Sequence, residues 1–406
     1  MAFCRGRLFL SPVGDVPILP TLSLHRPQIS RGLSQIATLE DIPVDNDKPF
    51  TVPISEKSFE THNFDPPPYS IETTKNQLKQ LYYDMAKVRR MELAADQLYK
   101  EKKIRGFCHL STGQEAVSVG IEHAISKEDR IITAYRAHSF TMMRGGTIKS
   151  IIGELLGRRD GIAHGKGGSM HMYANSFYGG NGIVGANVPL GAGIAFAQKY
   201  NNTTYVTMNL YGDGAANQGQ VYEAFNMAKL WSLPVIFCCE NNKYGMGTSA
   251  DRASATTEYY KRGQYIPGLR VDGMDVLAVL SAVRHGRDFV KAGNGPLLYE
   301  YVTYRYAGHS MSDPGVAYRG REELKRERGN DPITTLKRKL VHWDIITDDE
   351  AKTIDRDVRK MVSQEVQQAE QMPVLEPCRG VLFGDIYVPG SEPLQRRGRA
   401  LEESWY

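Results

Sequence analysis

Two strand ends carry the residues most suited to chemistry. Gly212-Asp213-Gly214-Ala215 follows the apolar run 205–210, and Asn242-Lys243-Tyr244 follows the apolar run 235–239. An acid at the carboxyl end of a buried strand, flanked by glycines, sits where open α/β sheets bind ligands. Gly214 and Ala215 carry almost no side chain, so backbone N–H groups there can approach phosphate oxygens. Asp213 then suits a divalent cation held against a diphosphate. Asn242, 29 positions further on, offers an amide oxygen and Tyr244 a main-chain carbonyl. Both are ligands for hard cations such as magnesium. Gly-Asp-Gly by itself is mostly an ordinary turn, and the second strand end at this spacing makes the pattern specific.

Such a site needs strands that end side by side. Short apolar runs at 131–133, 205–210, 235–239 and 297–302 alternate with helical stretches. This predicts an α/β fold with a parallel sheet covered by helices on both faces. Leu78, Leu81, Met85, Val88, Ala95 and Leu98 fall at helical spacing and predict one long amphipathic helix. Near the C-terminus, Thr347 and Glu350 form a capping box. It opens a helix with the apolar stripe Ile354, Val358, Met361, Val362, Val366 and Ala369. Two other glycine-rich stretches fail as phosphate loops. No strand leads into Gly191-Ala192-Gly193, where packing is expected, and 165–169 lacks the order of a nucleotide P-loop.

Composition narrows the class further. The 406 residues are 41% apolar and 24% charged, as in globular chains. No run approaches the roughly 20 apolar residues of a membrane-spanning helix. The formal charge is +4, but residues 1–39 hold Arg5, Arg7, Arg26 and Arg31 against Asp15, leaving +1 for the other 367. That excludes a nucleic-acid footprint. The Arg-containing, acid-poor start reads as an organelle transit segment. The five cysteines form no CxxC and no zinc spacing, which fits a reducing compartment such as the mitochondrial matrix. The expected organisation is a transit peptide at 1–33, an extended arm at 34–76, a cofactor-binding domain at 77–330, and a helical extension and tail at 331–406.

Gly-Asp-Gly followed by Asn-Asn resembles the thiamine diphosphate motif. The resemblance widens through Gly106-Phe107-Cys108-His109-Leu110, Tyr135-Arg136-Ala137-His138, Lys166-Gly167-Gly168-Ser169-Met170-His171, the stretch 179–185 and the stretch 305–315. From about residue 75 to 340 the chain resembles the pyruvate dehydrogenase alpha-subunit family of thiamine diphosphate-dependent 2-oxo acid dehydrogenases. The resemblance implies the diphosphate-binding half of the thiamine diphosphate fold, with magnesium on Asp213, Asn242 and the backbone of Tyr244. Gly214, Ala215 and Arg136 would contact the diphosphate; Tyr135, Ala174, Gly182 and Val184 would line the cofactor groove. His109 and His309 would face the reacting atoms. The implied reaction is oxidative decarboxylation of pyruvate with transfer of the acetyl unit to the lipoyl domain of dihydrolipoyl acetyltransferase.

The same resemblance implies partners and regulation. No segment reads as the half that contacts the cofactor's pyrimidine, so a beta subunit in an alpha2-beta2 heterotetramer is expected to supply that acid. Ser310 and Ser249 become expected phosphorylation sites, served by a regulatory kinase and phosphatase. Ala317 stands where animal members carry a further serine. Ser139 stands where the family usually has Gly, and would be strained if the backbone there had positive φ. The alternatives are a branched-chain 2-oxo acid dehydrogenase alpha subunit, a bacterial-type acetoin dehydrogenase, or a non-catalytic interaction subunit.

Overall fold

A computed structural model describes residues 44–378, 381, 384–388 and 391. The expected transit peptide, the first part of the arm and most of the tail lie outside the described residues. The described part of the arm supplies three short strands: β1 (Phe50–Pro53), β2 (Phe59–His62) and β3 (Ser70–Thr73). The strands that follow are β4 (Arg130–Ile132), β5 (Thr207–Gly212), β6 (Val235–Asn241), β7 (Tyr244–Gly245), β8 (Thr248–Ser249), β9 (Gly268–Asp272) and β10 (Leu297–Val302).

The central sheet runs in the order β2-β9-β10-β6-β5-β4. Every pairing is parallel except that of β2, which joins the edge antiparallel to β9. The sheet is parallel where it was expected to be, with one antiparallel edge contributed by the arm. In β5 and β6 successive side chains enter two different cores. Met208, Leu210, Ile236 and Cys238 belong to one. Tyr211, Val235, Phe237 and Cys239 belong to the other. Burial on both faces is why β6 opens with an unbroken apolar run and why even the polar Thr207 and Asn209 of β5 are buried. Each large side chain buried there contributes about 1.5–3 kcal/mol. Cys238 and Cys239 are buried free thiols.

Helices cover both faces. α1 (Lys75–Lys100), α2 (Glu115–Ala124), α3 (His138–Met143) and α4 (Ile148–Leu155) precede β5. α5 (Asn187–Tyr200) and α6 (Gly219–Leu230) flank it in sequence and pack together on the second core. α7 (Ala250–Ala253) and α8 (Val276–Lys291) follow, then α9 (Arg321–Arg328), α10 (Pro332–His342) and α11 (Asp348–Glu370). Thr74 caps α1 by accepting from the N–H of Gln77 at 3.1 Å. The capping box of α11 is present in both directions, and α11 lies along α1 and α4. Gly191 in α5 does a packing job: a Cβ there would fall 2.2 Å from the amide of Asn209 on β5. Ser139 is the second residue of α3 and is absent from the positive-φ residues, so it carries no backbone strain.

Candidate active site

Register brings the two strand ends together. Gly212 pairs with Glu240 in the parallel β5–β6 ladder, so Asp213 and Asn242 emerge from neighbouring strands. Beyond β6 the chain reverses through β7 and β8, where Tyr244 pairs with Ser249. The two turns touch backbone to backbone: a Cβ on Gly214 would sit 3.3 Å from the Cα of Gly245. Asp213 is buried, and burial pushes its carboxyl up to about 6 against the pull of backbone N–H groups and Arg305. Asn242 donates to Oε1 of Gln114 at 2.9 Å, and its own Oδ1 accepts from the N–H of Tyr244 at 3.4 Å. The Tyr244 carbonyl accepts from Arg305 at 3.4 Å.

This donor set is one carboxylate with neutral oxygens. Among the described residues, no group of three or more His, Cys, Asp or Glu could hold a metal ion. A buried carboxylate pushed toward protonation gains from a cation beside it. The set therefore fits an ion that takes most of its oxygens from phosphate and water, as magnesium does.

The other end of the site is aromatic. His109, Tyr135 and His309 form a triangle of rings, with centroids 4.6 Å, 5.2 Å and 5.3 Å apart. Phe107 stacks on His109 from the exposed side. Burial, followed by Arg136, lowers His109 to about 2 and His309 to about 4, so both rings are neutral near pH 7. Each leaves a buried Nδ1 without a hydrogen-bond partner. Arg136 is buried beneath them. It donates to the carbonyls of Leu110 and His309, the latter at 3.2 Å. Burial, then Arg305, lowers its guanidinium to about 10.

Ala174, Gly182 and Val184, expected from the sequence to line a cofactor groove, come from the loop before α5. Ala174 forms an isolated bridge with Phe177, which bridges to Ile131 of β4. The Val184 carbonyl accepts from Gln218 in the turn after Asp213, tying that loop to the end of β5. Gly182 lies close to His171, where a Cβ would fall 3.5 Å from the ring.

Residues 308–315 form a built turn. Asp313 accepts from the N–H of His309 at 2.6 Å and from that of Gly315 at 2.8 Å. Gly308 is required there, because a Cβ would fall 2.0 Å from the Asp313 carbonyl. Ser310 is buried with its hydroxyl 2.8 Å from that of Ser312, whereas Ser249 is partly exposed beside Tyr244.

Residues 83–378 match the profile of the Dehydrogenase E1 component family. The chain belongs to the Dehydrogenase E1 component family. This family is thiamine diphosphate-dependent. The chain is 65% identical over 366 residues to the mitochondrial pyruvate dehydrogenase E1 component subunit alpha of Chaetomium thermophilum, covering 90% of this chain and 89% of that protein. It is 58% identical to the Saccharomyces cerevisiae counterpart, over 87% of this chain and 84% of that protein. It is 57% identical to the human somatic form, over 82% of this chain and 85% of that protein.

Several residues of this E1 component site escaped the sequence reading. Arg305 is buried and donates to the carbonyls of Tyr244, Met246 and Ala307 and to the Tyr318 hydroxyl. Glu240 is half-buried near Arg136, and desolvation raises its carboxyl to about 7. Glu154 accepts backbone N–H bonds from Ala163, Gly165, Gly167 and Gly168 at 2.7–3.1 Å. Glu240 stood at a strand end and Arg305 opened the stretch 305–315, but neither signal named a role, and Glu154 carried none.

Proposed function

We propose that this chain is the alpha subunit of a mitochondrial pyruvate dehydrogenase, acting in oxidative decarboxylation of pyruvate. The observation that carries this is a buried acid, Asp213, and two neutral histidines with open Nδ1 atoms, His109 and His309, with Arg305 acting electrostatically on all three. The naming of the relatives as mitochondrial pyruvate dehydrogenase alpha subunits supports the substrate and the location.

Asp213, Asn242 and the Tyr244 carbonyl would hold magnesium, and Gly214, Ala215 and Arg136 the cofactor's diphosphate. Thiamine diphosphate, when bound, supplies the electron sink for the carbanion left by decarboxylation. The protein's own task is positioning and electrostatics. Tyr135, Ala174, Gly182 and Val184 wall the groove. His109 and His309, neutral and with open nitrogens, can hold a proton or donate toward developing charge. A beta subunit supplies the other half of the site, and the lipoyl domain of the acetyltransferase component accepts the acetyl unit. Ser310 and Ser249 serve as phosphorylation sites for a kinase and phosphatase, placing about −1.5 to −2 charges beside His309 and Tyr244.

The test is co-expression with the beta subunit, followed by magnesium- and thiamine diphosphate-dependent turnover of pyruvate against branched 2-oxo acids. Preference for the branched acids would overturn the assignment. Within that heteromer, His109→Ala is expected to lower kcat by about 100-fold or more. Full activity would remove His109 from the chemistry.

A further inference from the structure

Three side chains outside the groove form one buried chain of hydrogen bonds that ends on His109. Glu92 on α1, His138 at the start of α3 and Ser169 after α4 are all buried. The Glu92 carboxylate lies 2.9 Å from Nδ1 of His138. Nε2 of His138 lies 3.0 Å from Oγ of Ser169. That same Oγ accepts the main-chain N–H of His109 at 3.3 Å. The other oxygen of Glu92 accepts from the N–H and hydroxyl of Ser111, at 3.1 Å and 2.8 Å. One carboxylate therefore ties down the chain on both sides of Leu110.

The acceptors give the chain a direction. A carboxylate only accepts, so the proton of His138 sits on Nδ1. Nε2 shares a hydrogen bond with the Ser169 hydroxyl, and the same Oγ accepts the His109 N–H. The order acid–histidine–serine is that of a hydrolase triad. Here the serine is 3% exposed and its oxygen already accepts the His109 N–H, so it has no free path to a substrate.

The need for such a device lies in His109 itself. Its ring meets Phe107, Tyr135 and His309 only as faces and edges, and its Nδ1 has no partner. No hydrogen bond from the ring fixes its aim. The main chain at 109–111 has to do so. We propose that Glu92, His138 and Ser169 are positioning residues whose directed hydrogen bonds set the orientation of the His109 imidazole. This rests on the reading of His109 as a group facing the reacting atoms.

The test uses the heterotetramer formed with the beta subunit. Ser169→Ala is expected to lower kcat by about tenfold or more, since small misplacements of reacting groups are costly. The KM for pyruvate and the affinity for thiamine diphosphate should stay within about twofold of wild type. Glu92→Gln keeps the shape but places a donor against Nδ1, reversing the chain, and should lower kcat similarly. The double variant should lose no more than the worse single, because the members act as a unit. Wild-type kcat in Ser169→Ala overturns the proposal. So does a loss of kcat matched by an equal loss of cofactor affinity, or full additivity of the two changes. If Ser169→Ala does not assemble, Glu92→Gln read the same way decides. Full activity in His109→Ala defeats the underlying reading, whereas an inactive His109→Ala beside a fully active Ser169→Ala defeats the relay alone.

Discussion

At the residue scale, the charge state of Asp213 controls what the site can hold. Burial raises its carboxyl from the ordinary 3.8 to about 6. A cation needs the carboxylate, so protons compete with magnesium below that value. The affinity for magnesium with thiamine diphosphate is expected to weaken about tenfold per pH unit below pH 6 and to level off above it. Calorimetry on the heteromer reads this directly, and an affinity constant between pH 5 and 6 contradicts it. Asp213→Asn should flatten the profile and weaken binding by about 100-fold. The histidines act in the opposite sense on stability. As pH falls from about 6.5 toward 4, the unfolded chain takes up protons that His309 and His109 refuse. Their share of stability is lost over that interval. Folded Asp213 binds its proton sooner than the unfolded acid does, so its share is gained there. The two contributions oppose each other between pH 4 and 6.

At the element scale, the loop after α4 is folded around the carboxylate of Glu154. Replacing it with Ala leaves four backbone donors at 163–168 without their acceptor. A loss of about 3 kcal/mol or more is expected. Thermal unfolding would register it, and limited proteolysis should then cut within 160–170. Gly191→Val is expected to destabilise by about 1–3 kcal/mol by driving α5 off Asn209; an unchanged midpoint would show that the helix shifts freely. These elements differ in how far sequence revealed them. β5, β6 and β10 were legible because burial on both faces gives mostly apolar, non-alternating runs, interrupted only at Thr207, Asn209, Glu240, Asn241 and Glu300. β9 was not, since Gly268-Leu269-Arg270-Val271-Asp272 mixes charge with apolar residues beside the edge. β2 was hidden in the arm, because Phe59-Glu60-Thr61-His62 becomes a strand only by pairing with β9. Asp213 and Asn242 were legible through their spacing along one chain. Glu92, His138 and Ser169 were not, as contacts between residues 31 and 46 positions apart leave no local pattern.

At the scale of the whole molecule, the proposed function gives this chain one half of a site. Purified without a beta subunit it is expected to show no pyruvate turnover, and measurable turnover by the isolated chain would reverse that view. The exposed aromatic and aliphatic face of α5 and α6, with Leu190, Phe196, Tyr200, Leu230 and Trp231, leaves apolar surface for association. Arg305 has a different reach. One planar guanidinium braces the hairpin that carries Tyr244 and, through the Tyr318 hydroxyl and the Ala307 carbonyl, the turn that carries His309. Lysine cannot replace that fork, having one nitrogen to offer. An engineer reshaping 307–318 to admit a bulkier acid would therefore also move the hairpin at Tyr244. Changes in substrate range and changes in cofactor retention should be inherited together.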